Sequence, residues 1–329
     1  MSDISLQINL SPGDIAYARL TVPALVNAHR KVVKEIVAIV DCCRPPRTKI
    51  VNPDIRFPKP VFNKRVEQIC EITEGLRSQA YIDRIYYLRE NDPLIKELSA
   101  KYLRKLIMRT HDYGGCALMA YLAAFEVVDT KYLLHYDSDM LIHQSEDFDW
   151  TIEARELIEE QEKAVAATPR ISPPFSKQRG LPDAPSLHEG RPLQTIKGGW
   201  RNDWFSTRCF LIDRWKVFNY LPLLKGRMLF ETLAVKYLNR GYPRSPEIMM
   251  FRRIGGAGGW RLNLQTEKAW LLHPQNKPPL YLELLPEIQS AVKVGQVPEG
   301  QRGYSEVNLP EWERFLSHCR YENSLNCRS

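Results

Sequence analysis

Two short apolar runs that end in carboxylates constrain this chain most. Residues 35–41 read EIVAIVD, and residues 131–136, KYLLHY, run straight into Asp137-Ser138-Asp139. The first, β-branched and nearly all apolar, is how a strand buried on both faces reads, and the second is strand-like as well. The segments around them alternate in type. Residues 4–10 and 82–88 are strand-like, while 16–34, 64–75, 94–110 and 116–128 carry helical patterns, with Pro23 starting the first helix late or kinking it. Strands alternating with helices predict a doubly wound α/β fold around a mostly parallel sheet. Ligands of such sheets bind beyond the carboxyl ends of the strands, where Asp41 and the Asp137/Asp139 pair fall.

An extended chain leaving a strand would put side chains i and i+2 on one face. Two carboxylates there offer hard oxygen ligands to Mg²⁺ or Mn²⁺. Such a cation neutralises the charge that develops on a diphosphate leaving group. Asp147-Phe148-Asp149 repeats the spacing but lies in a polar stretch, QSEDFDWTIEARE, and is read as a helix cap.

The second half is less regular. Residues 170–197 are rich in Pro, Gly, Ser and basic residues and predict a long loop. A strand over 204–213, a helix over 229–239 and a strand over 268–272 follow, the last leading into His273-Pro274. Between them, 252–261 (RRIGGAGGWR) has the composition of a mobile lid that would close over a diphosphate. Trp200, Trp204 and Phe205 suit the floor of a sugar site, although core packing explains Phe205 as well.

The net charge of +7 comes from scattered Lys and Arg. It suits anionic ligands and contact with an anionic membrane surface, and no nucleic-acid module is apparent. Seven cysteines without a CxxC pair suggest free thiols in a reducing compartment. The N-terminus, MSDISLQINLSPGD, lacks the basic start and apolar segment of a secretory signal. No apolar stretch approaches the roughly 20 residues that span a bilayer. These features lead to the expectation of a cytoplasmic protein.

The segment GGCALMAYLAAFEVVDTKYLLHYDSDM resembles the centre of GT-A fold glycosyltransferases, most of all family 2: a glycine turn, an apolar helix, and a strand ending in D-x-D. Further landmarks occur in order over roughly residues 4–275: Gly198-Gly199 resembles the glycine loop, Glu231 in FETLAVKYLNRGY the x-E-D element, and His273 in AWLLHP the C-terminal metal ligand. The resemblance implies a GT-A domain over 1–275, with a nucleotide-binding part over about 1–140, an acceptor-side part over about 141–275, and a helical extension over 276–329. It also implies transfer of a sugar, with inversion, from a nucleotide-diphosphate sugar (a UDP-sugar above all) to the hydroxyl of a carbohydrate, lipid-linked or other acceptor. Asp137, Asp139 and His273 would hold Mn²⁺ or Mg²⁺; Asp41, Asp137, Gly198 and Gly199 would contact the donor; Glu231 would be the general base. Where the family has Glu-Asp, this chain has Glu231-Thr232. Two alternatives stay open, a sugar nucleotidyltransferase and an inactive homologue acting as a binding subunit.

Overall fold

The structure is a computed structural model that describes residues 2–175, 194–202, 204–238 and 241–326. Most of the predicted 170–197 loop, residues 176–193, lies outside the described residues.

The first half follows the strand and helix alternation. The strands are β1 (Ile4–Leu10), β2 (Glu35–Asp41), β3 (Arg84–Leu88) and β4 (Tyr132–Asp137). Between them lie α1 (Ala18–His29), a short α2 (Pro53–Arg56), α3 (Lys59–Ser78), α4 (Pro93–Leu103) and α5 (Met119–Val127). Pro23 sits inside α1, which begins two residues later than the pattern suggested. β2, β1 and β4 are buried along almost their whole length; β2 accordingly lacks polar alternation, whereas β1 alternates as ISLQINL and its buried Ser5 and Gln7 bond to Thr130 and His135.

Beyond β4 come β5 (Leu141–Gln144), α6 (Trp150–Glu160), β6 (Ala164–Thr168), β7 (Gln194–Ile196), β8 (Gly199–Asn202) and β9 (Cys209–Asp213). Then follow α7 (Arg214–Phe218), α8 (Arg227–Tyr237), α9 (Pro246–Ile254), β10 (Trp260–Leu264), β11 (Ala269–Leu272), α10 (Pro279–Lys293) and α11 (Leu309–Asn326). One nine-stranded sheet runs β3-β2-β1-β4-β9-β6-β10-β8-β7. The nucleotide side, β3 to β4, is parallel throughout. β9 runs antiparallel between β4 and β6, whereas β6 and β10 are parallel to each other. Asp149 caps α6, accepting a hydrogen bond from the Thr151 amide, so the second D-x-D has the capping role its polar setting suggested.

Three differences from the sequence reading bear on the site. Residues 252–261 are no lid. Arg252 and Arg253 close α9, Gly255–Ala257 form a 3₁₀ turn, and Trp260 and Arg261 are buried in β10. Gly259 is needed for packing, since a Cβ there would lie 2.6 Å from Ile254. Gly198 and Gly199 also serve packing. They stand where β8 meets β10, and a Cβ on Gly199 would fall 2.0 Å from the Asn263 carbonyl oxygen. Backbone cannot yield as a side-chain tip can. Gly199→Ala should therefore cost about 1–3 kcal/mol, read as a lower urea midpoint at unchanged m-value. Finally, the C-terminal segment packs closely on the rest of the chain. Tyr281, Leu284, Ile288 and Trp312 share a buried cluster with Tyr17, Leu141, Trp270 and Leu272.

Candidate functional site

Two clefts lie beyond the end of β4, one on each side of the Asp139–Met140 step. The first, of about 380 Å³, is lined by the loop after β1 (Ser11 to Asp14), by Asp41, His111, Tyr121 and Asp137–Asp139, and by Arg56, Phe57 and Arg65. The second, of about 280 Å³, is lined by Met140, Trp204, Ser206, Arg208, Glu247, Arg261 and His273, among others.

At the boundary, the chain does not leave β4 in extended form. Ser138 and Asp139 form a turn, closed by the Met140 amide donating to the Asp137 carbonyl at 3.2 Å. The two carboxylates therefore face different partners. Asp137 Oδ1 accepts from the Tyr121 hydroxyl at 2.6 Å and lies 3.3 Å from His135 Nε2. Burial, with the Asp137 charge and hydrogen bond, holds the Tyr121 phenol far above its ordinary pKa, so it remains a donor. Asp139 turns toward the C-terminal segment. Its Oδ2 lies 2.6 Å from the Lys277 ammonium and 3.7 Å from His273 Nε2. Its Oδ1 is buried and has no hydrogen-bond partner.

His273 follows β11, and its backbone is tied to the strand-like stretch before α11. Its amide donates to Ser305 O at 2.8 Å, and Val307 donates back at 3.0 Å. The same pairing brings Glu306 Oε2 to 2.9 Å from His273 Nδ1. A carboxylate only accepts, so Nδ1 is the donor of this hydrogen bond, and Nε2 is the ring nitrogen turned toward Asp139. Burial alone would raise the Glu306 pKa, but hydrogen bonds from His273 and Arg208 hold it below its ordinary value and keep it ionised. A histidine whose far nitrogen is fixed by a carboxylate is a common second shell of metal sites.

Asp41 sits at the other end of the first cleft. Its Oδ1 accepts from the Cys43 amide at 2.9 Å; its Oδ2 is buried without a hydrogen-bond partner, 3.6 Å from His111 Nε2. Burial pushes the Asp41 carboxyl above its ordinary pKa, and the facing His111 offsets part of that rise. Asp14, which accepts from the Tyr17 hydroxyl, is pushed up to about 6, chiefly by burial and further by the Asp139 charge.

The structure thus brings Asp41, Asp137 and Asp139 to one cleft and sets His273 beside Asp139. It does not bring Glu231 to them. Glu231 lies on α8, held by Arg227 at 2.7 Å and by Arg252, and it lines neither cleft. The carboxylate that lines the second cleft with His273 is Glu247, in the first turn of α9. Its Oε1 accepts from the Thr207 amide at 2.9 Å and from the Thr207 hydroxyl at 3.2 Å. Ser245-Pro246-Glu247 is a helix-start signature, a capping serine, a proline at the first position and an acid in the first turn. That signal was readable at 245–247. Lys277 and Glu306 had no comparable local signal; Glu306 is placed by a backbone pairing with His273 that only folding forms.

No protein-family profile matches the chain, and no curated protein sequence matches it. Several solved structures are similar. Glucosyl-3-phosphoglycerate synthase from Mycobacterium tuberculosis, in complex with Mn²⁺, UDP and glucosyl-3-phosphoglycerate, is 12% identical over 88% of this chain and 77% of that one, with a TM-score of 0.34. The galactosyltransferase LgtC, in complex with donor and acceptor sugar analogues, is 11% identical over 90% of this chain and 98% of its own, with a TM-score of 0.35. S. aureus TarS is 12% identical over 91% of this chain and 41% of its own, with a TM-score of 0.34. What the clefts do is read from the side chains of this chain.

Proposed function

We propose that the chain is a metal-dependent GT-A glycosyltransferase that moves a sugar from a UDP-sugar to an acceptor hydroxyl with inversion. One observation carries the proposal. Asp139 Oδ1 is buried without a hydrogen-bond partner, and the Nε2 of His273, whose Nδ1 is held by Glu306, lies 3.7 Å from Oδ2 of the same carboxylate.

The donor set fits a divalent cation. Among the described residues no group of three or more His, Cys, Asp or Glu side chains is arranged to hold a metal ion. Asp139 and His273 offer two ligands, and diphosphate oxygens would supply others. An imidazole in the set favours Mn²⁺ over the harder Mg²⁺. When bound, such an ion neutralises charge on the departing diphosphate. Lys277, already on Asp139 Oδ2, adds a second positive charge beside it. Asp41 and His111 at the far end of the first cleft would bond the nucleoside. Arg56 and Arg65 would extend the positive wall toward the phosphates.

Glu247 takes the role of general base that the sequence alone assigned to Glu231. Thr207 fixes Oε1, so Oε2 is the oxygen left to accept a proton from an acceptor hydroxyl in the second cleft. Arg208 and Trp204 in the same cleft would orient the acceptor. A base on the acceptor side, across from the leaving group, is what an inverting displacement requires.

Incubation with a panel of nucleotide sugars and Mn²⁺ tests the proposal. Release of nucleoside diphosphate, dependent on Mn²⁺ and accompanied by a product of inverted anomeric configuration, is the expected result. Pyrophosphate turnover would place the chain among nucleotidyltransferases instead, and nucleotide binding without turnover would make it a binding subunit.

A further inference from the structure

The outer face of α8 has no place in the chemistry above, and its composition is unusual for a surface helix. Phe230, Tyr237 and Leu238 are 72%, 85% and 63% exposed. With exposed Ala234 they recur at i, i+4, i+7 and i+8, a single stripe along one side of the helix. The opposite side buries Met228 and Thr232. Scattered exposed apolar residues are ordinary, but a contiguous aromatic stripe marks an interaction surface.

The charges around the stripe have one sign. Lys225, Arg227 and Lys236 are exposed on the helix and its approach. Arg104, Lys105 and Arg109 are exposed on the turn after α4, together with Met108. Tyr242 joins the two segments, because the Arg109 guanidinium and the Lys236 ammonium lie 5.6 and 5.8 Å from its ring centre. Between 225 and 244 the only acidic residue is Glu231, and it is occupied by Arg227 and Arg252.

We propose that this face docks on an anionic lipid bilayer, with Phe230, Tyr237 and Leu238 entering the interface and the surrounding Lys and Arg resting on the headgroups. The charge pattern selects this occupant. A second copy of the chain would bring two cationic faces together, and a nucleic-acid duplex, whose bases are stacked inside, would leave three large apolar side chains without an apolar partner. An interfacial helix combines both signals, aromatic side chains for the acyl boundary and basic ones for anionic headgroups. Long Lys and Arg stems cover apolar surface while their heads stay in water. The proposal stands independently of the sugar-transfer reading.

Vesicle co-sedimentation of the full chain tests it, with phosphatidylcholine alone and with added phosphatidylglycerol. Binding to the anionic vesicles only, weakened by salt, is expected. F230S/Y237S should reduce partitioning on the order of thirty-fold, as should K225Q/K236Q, since each removes two groups that contribute to binding at the interface. Both variants should keep the wild-type melting temperature and affinity for UDP with Mn²⁺, which separates loss of docking from loss of fold or donor site. Absence of wild-type binding, or variants that bind like wild type, would overturn the proposal. So would a wild-type dimer that F230S/Y237S converts to monomer, since the stripe would then belong to a second copy.

Discussion

Asp139→Ala is expected to bind UDP equally with and without Mn²⁺, whereas the unaltered chain should bind it far more tightly when the ion is present. The size of the effect follows from the small number of ligands. Asp139 and His273 alone cannot fill the coordination of an ion that takes about six ligands. Ion and diphosphate must therefore complete each other's sites, and each should tighten the other by the same factor. Removing one of two protein ligands removes most of that coupling. Calorimetric titration of UDP, with Mn²⁺ and with chelator, measures it directly, without any turnover. Two companion variants sharpen the test. Glu306→Gln keeps the hydrogen bond but not the charge behind His273, and should lose roughly 10–100-fold in Mn²⁺ affinity. Lys277→Met removes a cation 2.6 Å from Asp139 Oδ2 and should move the metal affinity the other way, upward. Equal Mn²⁺ dependence in Asp139→Ala and wild type would mean that Asp139 binds no ion, whatever its position.

The parts of this molecule that could be read in the sequence are those whose environment is uniform. β1 and β2 were delimited to the residue, β1 by its strict period-two alternation and β2 by the nearly continuous apolar run of a strand covered on both faces. β10 escaped for the opposite reason. Its sequence, WRLNL, contains Arg261 and Asn263, which are buried yet hydrogen-bonded to each other at 3.0 Å, and glycines precede it. A polar pair that satisfies itself inside the sheet looks, from sequence, like a surface turn. The site shows the same division. Asp41, Asp137 and Asp139 could be located because strand ends are where such sheets open. Their directions could not, since the turn at Ser138 parts two carboxylates that an extended chain would have aligned. The C-terminal segment read as an appendage because its pattern is merely amphipathic, and nothing in it indicates that Lys277 approaches Asp139 or that Glu306 approaches Arg208.

Glu247→Gln should lower kcat by about 10²–10⁴-fold, the usual contribution of a positioned base, with the affinity for UDP and Mn²⁺ unchanged. The substitution keeps the acceptor of the Thr207 hydrogen bonds, because the glutamine carbonyl can replace Oε1, so α9 and the cleft should hold their shape. What is lost is the ability to take a proton. Glu231→Gln provides the contrast. Glu231 is paired with two arginines, and those pairs hold its carboxyl below its ordinary pKa even though burial works the other way. A carboxylate so stabilised is a poor base, and its substitution should leave kcat within a few-fold of wild type while modestly weakening the α8–α9 contact. Single-turnover rates separate the two cases from product release. A Glu247→Gln enzyme with wild-type chemistry would exclude Glu247 as the base, and a large loss in Glu231→Gln at unaltered stability would return the role to α8. Between them, one helix start and one ion pair decide which carboxylate meets the acceptor.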